Sequence, residues 1–149
     1  MKEKNNGFVN LANARREEQI KVMEEIVADG VCPFCTDNLK KYHKKPILKE
    51  GKYWLFTTNQ WPYDYTKNHF IAISKTHMGH ITEMPKEAGA ELMETFTEMA
   101  KKYKIEYGGI ALRFGDAIHT GATVSHLHAH LIEPDNNHPS DKPVRFKIG

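Results

Sequence analysis

Three histidines stand at alternate positions in the run Ser125-His126-Leu127-His128-Ala129-His130-Leu131-Ile132. An extended chain sends successive side chains to opposite faces, so this spacing places three imidazoles on one face and Leu127, Ala129 and Leu131 on the other. Imidazole gains and loses a proton near neutral pH, attacks an electrophile when neutral, and ligates metals. A single histidine in a strand is ordinarily a hydrogen-bonded structural residue, and a pair can serve a metal without catalysis. Three in alternation, with core residues between them, point to chemistry rather than packing.

A loop of glycine and small polar residues (Gly115, Asp116, His119, Thr120, Gly121, Thr123) precedes the triplet, between apolar runs at 109–114 and 124–132. Such loops let backbone N–H groups approach a phosphate closely, and Thr123 adds a side-chain donor. Glycine and threonine also mark ordinary turns, so the loop supports the reading only beside the histidines.

A second constellation is Cys32-Pro33-Phe34-Cys35, which holds the only two cysteines of the chain. Two cysteines at this spacing can be a redox pair, half of a zinc site, or unrelated. No signal peptide is legible, which favours a reducing, cytoplasmic setting and a role other than a disulfide. A tetrahedral zinc needs two more ligands, and His77, in Lys75-Thr76-His77, and His126 are the candidates. The redox reading fits less well, because a thioredoxin-like pair belongs between the strand and helix of a βαβ unit and here an amphipathic helix comes first.

The elements that must position these groups follow from composition and periodicity. The chain has 149 residues, 40% hydrophobic and 27% charged, with a formal charge of +2, which is the size and make-up of one globular domain. Its apolar runs are too short to span a membrane, and its basic residues are too scattered for an extended nucleic-acid face. Residues 12–29 read as a helix with Ile20, Met23, Ile26 and Val27 on one stripe and Gly30 as its stop. Short strands are expected at 47–48, 53–57 and 70–73, with a turn at Glu50-Gly51. Pro85 opens a long helix to about Tyr103, with Ala88, Leu92, Phe96 and Met99 at helical spacing. Strands at 110–114 and along the histidine run follow, and beyond Glu133-Pro134 the tail, 135–149, reads as irregular. The expected fold is α+β: about five mainly antiparallel strands, a long helix inserted before the last two, and an extra N-terminal helix, in a single domain over 1–149.

The segment from His126 to Ile132 resembles the complete motif of the histidine triad (HIT) family, His-x-His-x-His followed by two apolar residues. Asn68-His69-Phe70-Ile71-Ala72-Ile73-Ser74-Lys75-Thr76-His77 is similar to that family's strand and turn bearing its fourth active-site histidine. The resemblance covers about residues 30–134. Asn59-Gln60-Trp61-Pro62-Tyr63 further resembles the branch with Asn-x-x-Pro-Tyr, which includes dinucleoside polyphosphate hydrolases and phosphorylases.

The resemblance implies a nucleotide hydrolase or nucleotidyl transferase in which His128 attacks the α-phosphorus and forms a nucleotidyl-histidine. His130 and His69 would bind the phosphate oxygens or the leaving group, where charge develops. Thr123 matches a phosphate-contacting serine, and Asn59 the position that binds ribose hydroxyls. In zinc-containing members the ligands correspond to Cys32, Cys35, His77 and His126, a closed set that implies a structural Zn2+. A homodimer is also implied.

The sequence departs from the family pattern at Ala122, where many members have glutamine. Arg113 stands near a phosphate-contacting asparagine and could grip a more anionic substrate. A nucleoside phosphoramidate hydrolase and a nucleotide-binding scaffold with little turnover are the alternative readings. The intact triplet favours an enzyme, and the weak net charge disfavours a relative that repairs adenylated DNA ends.

Overall fold

Apolar residues alternate along three segments of the chain and sort a sheet into two faces. In the computed structural model, which describes residues 7–149, that sheet has five strands: β1 (Ile47–Glu50), β2 (Trp54–Thr58), β3 (Thr66–Ser74), β4 (Gly109–Leu112) and β5 (His128–Pro134). The order is β1-β2-β3-β5-β4, and every neighbouring pair is antiparallel. The mainly antiparallel α+β expectation therefore holds. The helices are α1 (Glu17–Asp29), α2 (Thr36–Tyr42), α3 (Lys86–Lys102) and α4 (Ala117–Thr120), with one-turn 3-10 segments at Leu11–Asn13 and Ile81–Glu83. Among the described residues no helix is long and apolar enough to cross a membrane.

Helix α3 covers one face. Trp54 and Phe56 of β2, Phe70 and Ala72 of β3, and Ala129 and Leu131 of β5 pack with Leu92 and Phe96 of the helix. Phe96 is 1% exposed and meets Phe56 edge-on at a centroid distance of 5.8 Å, so its truncation would cost about 3–5 kcal/mol. The Trp54 indole N–H donates to the Ala88 carbonyl at 2.8 Å and fixes the helix along the sheet.

Residues of opposite parity point to the other face. Cross-strand register sets His69 against Ile132, Ile71 against His130 and Ile73 against His128, so β3 and β5 present their histidines and isoleucines together, away from α3. Leu39 and Phe34 pack there on Leu55, Ile71 and Ile73. Helix α1 adds a smaller cluster of Val9, Met23, Ile26 and Tyr42.

Several expected boundaries shift. The N-terminal helix starts at Glu17 rather than residue 12, because the preceding polar residues are tied elsewhere. Asn10 caps the Leu11–Asn13 turn through Ala12 N–H, and Asn13 donates to the Ala117 and Ala122 carbonyls. Strand β3 begins at Thr66, four residues before the expected apolar run, since polar Asn68 is held by Glu133 on β5 at 2.6 Å. Strand β4 ends at Leu112, leaving Arg113 and Phe114 outside the ladder. The loop after Gly115 contains the short helix α4, with Asp116 as its cap. Helix α2 was not foreseen, because Leu39 and Tyr42 are its only buried apolar residues. His126 precedes β5 rather than lying within it.

Candidate active site and metal centre

Strand β5 carries His128 to the open face, and a single hydrogen bond decides its tautomer. His128 Nδ1 lies 2.7 Å from the main-chain carbonyl of His126. A carbonyl only accepts, so Nδ1 carries the proton and the Nε2 lone pair is free. Burial, opposed by that hydrogen bond, lowers the His128 pKa to about 4, so the ring is neutral at pH 7. Phe34 buttresses it edge-on, its ring centroid 5.1 Å from that of His128. A neutral, oriented imidazole with an unoccupied nitrogen can act as a nucleophile without prior deprotonation.

The neighbouring histidines form a directed relay. The Tyr63 N–H donates to His69 Nδ1 at 3.1 Å, which leaves the His69 proton on Nε2. Nε2 then donates to His130 Nδ1 at 2.7 Å, and the His130 proton accordingly sits on its own Nε2. That atom is buried without a partner among the described residues. Burial drives His69 down to about 3 and His130 well below its ordinary value, with Arg15 and Arg113 acting in the same sense, so both rings stay neutral. A buried donor left open is costly unless a ligand fills the position, and His130 offers such a donor beside His128. Asn59 sits against the relay, its Nδ2 3.2 Å from His69 Nε2 and its Oδ1 accepting from Trp61 N–H.

Cys32, Cys35, His77 and His126 converge so that their four ligand atoms lie within 4.8 Å of one another. His126 Nε2 donates to the Ser74 carbonyl at 2.7 Å, which turns its unprotonated Nδ1 toward Cys32 Sγ at 3.4 Å, His77 Nδ1 at 3.1 Å and Cys35 Sγ at 3.8 Å. Bonds of about 2.0–2.3 Å around a tetrahedral zinc separate neighbouring ligand atoms by about 3.3–3.8 Å, so the donor set and its spacing fit this ion. The carbonyl partner of His126 is the orienting contact that metal-bound histidines commonly make. Burial pushes the Cys32 thiol up to about 12, which is contrary to the low pKa of a reactive redox cysteine. Both cysteines are free, and neither forms a disulfide.

A cavity of about 240 Å³ opens over His128 and His130. Val22, Met23 and Ile26 of α1 line it with Phe34 and Trp61, giving apolar surface suited to a flat ring. Arg15, Arg113, Arg145 and Lys147 also line it, and no carboxylate does among the described residues.

The ten candidate site residues lie at the relay, in the cavity lining or in the Cys2His2 cluster. His128, His130, His69 and Asn59 meet at the relay, Thr123 and Arg113 line the cavity, and the two cysteines with His77 and His126 form the metal cluster. Sequence reasoning missed Phe34, Tyr63, Arg15, Arg145 and Lys147. Tyr63 stacks on His130 at 5.6 Å. Phe34 had a local signal, its place between two candidate ligands. Arg145 and Lys147 had none, since nothing in a polar tail shows that it returns to the sheet.

The antiparallel sheet carries the alternating histidines on one face and a long helix on the other, with the Cys2His2 cluster at the start of the histidine strand, as expected from the resemblance to histidine triad proteins. The HIT domain family model matches residues 42–137, and the chain belongs to this family. Similar solved structures include a zinc-bound histidine triad family protein from Mycobacterium smegmatis, 22% identical, with a TM-score of 0.54 over 75% of this chain and 82% of that one. A HIT family hydrolase from Clostridium thermocellum is 20% identical, with a TM-score of 0.55 over 68% of this chain and 89% of that one. The diadenosine triphosphate hydrolase of Plasmodium falciparum is 19% identical, with a TM-score of 0.51 over 67% and 65% of the two chains. No curated protein matches the sequence significantly. Helix α1 and the segment carrying Arg145 and Lys147 lie outside the matched family region.

Proposed function

We propose that this protein hydrolyses or transfers a nucleotidyl group from a nucleotide such as a dinucleoside polyphosphate, with His128 as the covalent nucleophile. The carrying observation is the pairing of a free lone pair with an open donor: His128 Nε2 is unprotonated, and the buried His130 Nε2–H beside it has no partner among the described residues. The His128 lone pair forms a bond to the α-phosphorus, and the bond from phosphorus to the bridging oxygen breaks. That oxygen leaves with the electron pair on the departing phosphate. His128 keeps its Nδ1 proton, donated in a hydrogen bond to the His126 carbonyl, which supports the positive charge that develops on the ring. His130 Nε2–H, fixed through His69 and Tyr63 N–H, donates to a phosphate oxygen as charge builds. Water, or a second acceptor such as inorganic phosphate, then attacks phosphorus, breaks the P–N bond and frees His128.

The remaining residues bind and orient. Asn59 faces the ribose hydroxyls, Thr123 donates to phosphate, Arg113 adds charge, and α1 with Phe34 and Trp61 receives the base. Cys32, Cys35, His77 and His126 would hold zinc, which when bound is a structural cross-link with no open coordination position. The protein is expected to work as a homodimer, and the edge strand β4, with Ile110 48% exposed, offers a surface for a second copy.

The test is incubation with diadenosine polyphosphates and adenosine phosphoramidates, with and without inorganic phosphate, and identification of products by mass spectrometry. Cleavage at the α-phosphate is the expected result, and the products separate hydrolysis from phosphorolysis. Binding of nucleotide without turnover of any substrate in the panel would refute the catalytic reading.

A further inference from the structure

The two segments that flank the matched family region both reach its cleft, where they share Tyr63. From the N-terminal side, the Arg15 guanidinium lies over the Tyr63 ring at 4.4 Å and donates to the Trp61 carbonyl at 2.8 Å. From the C-terminal side, Phe146 packs on His130 at 5.4 Å and on Tyr63 at 6.1 Å. Arg113 ties the tail to Tyr63: it donates through Nη1 to the Tyr63 hydroxyl at 3.0 Å and through Nε to the Lys147 carbonyl at 2.7 Å, and it stacks on Phe146 at 3.8 Å. The tail is seated closely, since a Cβ at Gly121 would lie 3.2 Å from the Lys147 carbonyl oxygen.

Four cations are thereby gathered at a cavity that has no carboxylate lining, and Arg15, Arg113 and Arg145 make no ion pair among the described residues. Arg15 is held there against desolvation, which lowers its pKa. Guanidinium groups without a carboxylate counter-ion, grouped beside the buried donor His130 Nε2, call for an anion that reaches beyond a single phosphate. We propose that Arg15, Arg113, Arg145 and Lys147 form a second anion subsite that holds the leaving phosphate chain. This rests on the nucleotidyl-transfer reading and narrows it: the substrates are nucleotides whose leaving group is itself a phosphate or polyphosphate, in preference to those that release a neutral amine. Arg15, Arg145 and Lys147 would be specificity-determining residues supplied from outside the matched family region.

The test uses inorganic tripolyphosphate and orthophosphate as probes, titrated calorimetrically into the full-length protein, the Arg145→Ala/Lys147→Ala variant and the Arg15→Ala variant. All three replaced side chains belong to exposed residues, and thermal melts would verify that each variant folds. The wild type should bind tripolyphosphate more tightly than orthophosphate, with an affinity that falls as salt rises. The double variant should lose about tenfold or more in tripolyphosphate affinity and most of that preference. No tripolyphosphate binding by the wild type, unchanged affinity in the variants, or tighter binding when the tail residues are replaced would each overturn the proposal, the last by making the tail an occluding strap. Because binding is read without turnover, the two readings fail separately. A protein that cleaves diadenosine polyphosphates but binds tripolyphosphate equally well in both forms keeps the first and loses the second. One that cleaves nothing, yet loses tripolyphosphate in the double variant, does the reverse.

Discussion

His128 and His126 are joined by one hydrogen bond of 2.7 Å, from the Nδ1–H of the first to the main-chain carbonyl of the second. The side chain of His126 belongs to the metal cluster, and its carbonyl fixes the tautomer of the proposed nucleophile. Phe34, between the two cysteines, touches both rings, at 6.0 Å from His126 and 5.1 Å from His128. The candidate metal cluster and the proposed nucleophile are therefore neighbours through both backbone and packing.

Cys32→Ala should lower zinc content and stability together. Cys32 is 4% exposed, and its loss removes one of four ligands, so a cost on the order of 2–5 kcal/mol is expected. Metal analysis and denaturant melts check this. Turnover should fall, through a less well-held His128, but should persist. A variant as stable as the wild type with no change in bound zinc would contradict the structural role.

Acidification should destabilise the fold through the relay. His69 has an ordinary pKa of 6.5 and is lowered in the fold to about 3, chiefly by burial, and His130 moves in the same direction. Between pH 6.5 and pH 3 the unfolded chain takes up protons that the native rings refuse. Stability therefore falls as pH falls, by about 1.4 kcal/mol per pH unit for each such ring. Urea midpoints at pH 7 and pH 5 measure the slope, and His69→Gln should reduce it. A midpoint that rises on acidification would contradict the neutral relay.

The turn between β1 and β2 is organised by Glu91 of α3, whose carboxylate accepts from the N–H groups of Lys52, Tyr53 and Trp54 at 2.7, 2.9 and 3.0 Å. Glu91→Ala should cost about 1–3 kcal/mol. Gly51→Ala should be comparably destabilising, since its Cβ would lie 2.5 Å from Glu91 Oε2 and would push the carboxylate off its donors. Thermal melts of both variants and of the pair test the shared cause: the double variant should lose much less than the sum.

The alternating side chains that make the site were legible because a strand has a period of two and β5 obeys it from His128 to Leu131. The Cys32–Cys35 spacing and the two histidines likewise announce a four-ligand set, although only folding brings residues 94 positions apart, Cys32 and His126, to 3.4 Å. Helix α2 was hidden because a seven-residue helix needs only Leu39 and Tyr42 to dock, too few to show a period. Arg145 and Lys147 were hidden for a different reason. Their segment has no regular structure, and it is placed by Phe146 and Arg113, contacts that have no sequence period.

The covalent role of His128 is read out by trapping its intermediate. The protein is mixed with diadenosine tetraphosphate, quenched in alkali within the first turnovers, and its intact mass and peptide masses are read. A fraction carrying one adenylyl group on His128 is expected, and a His128→Ala protein should fold and melt like the wild type, carry no adduct and lose at least about 10³-fold in turnover. Product formed at the wild-type rate by His128→Ala, or an adenylyl group on another residue, would contradict it.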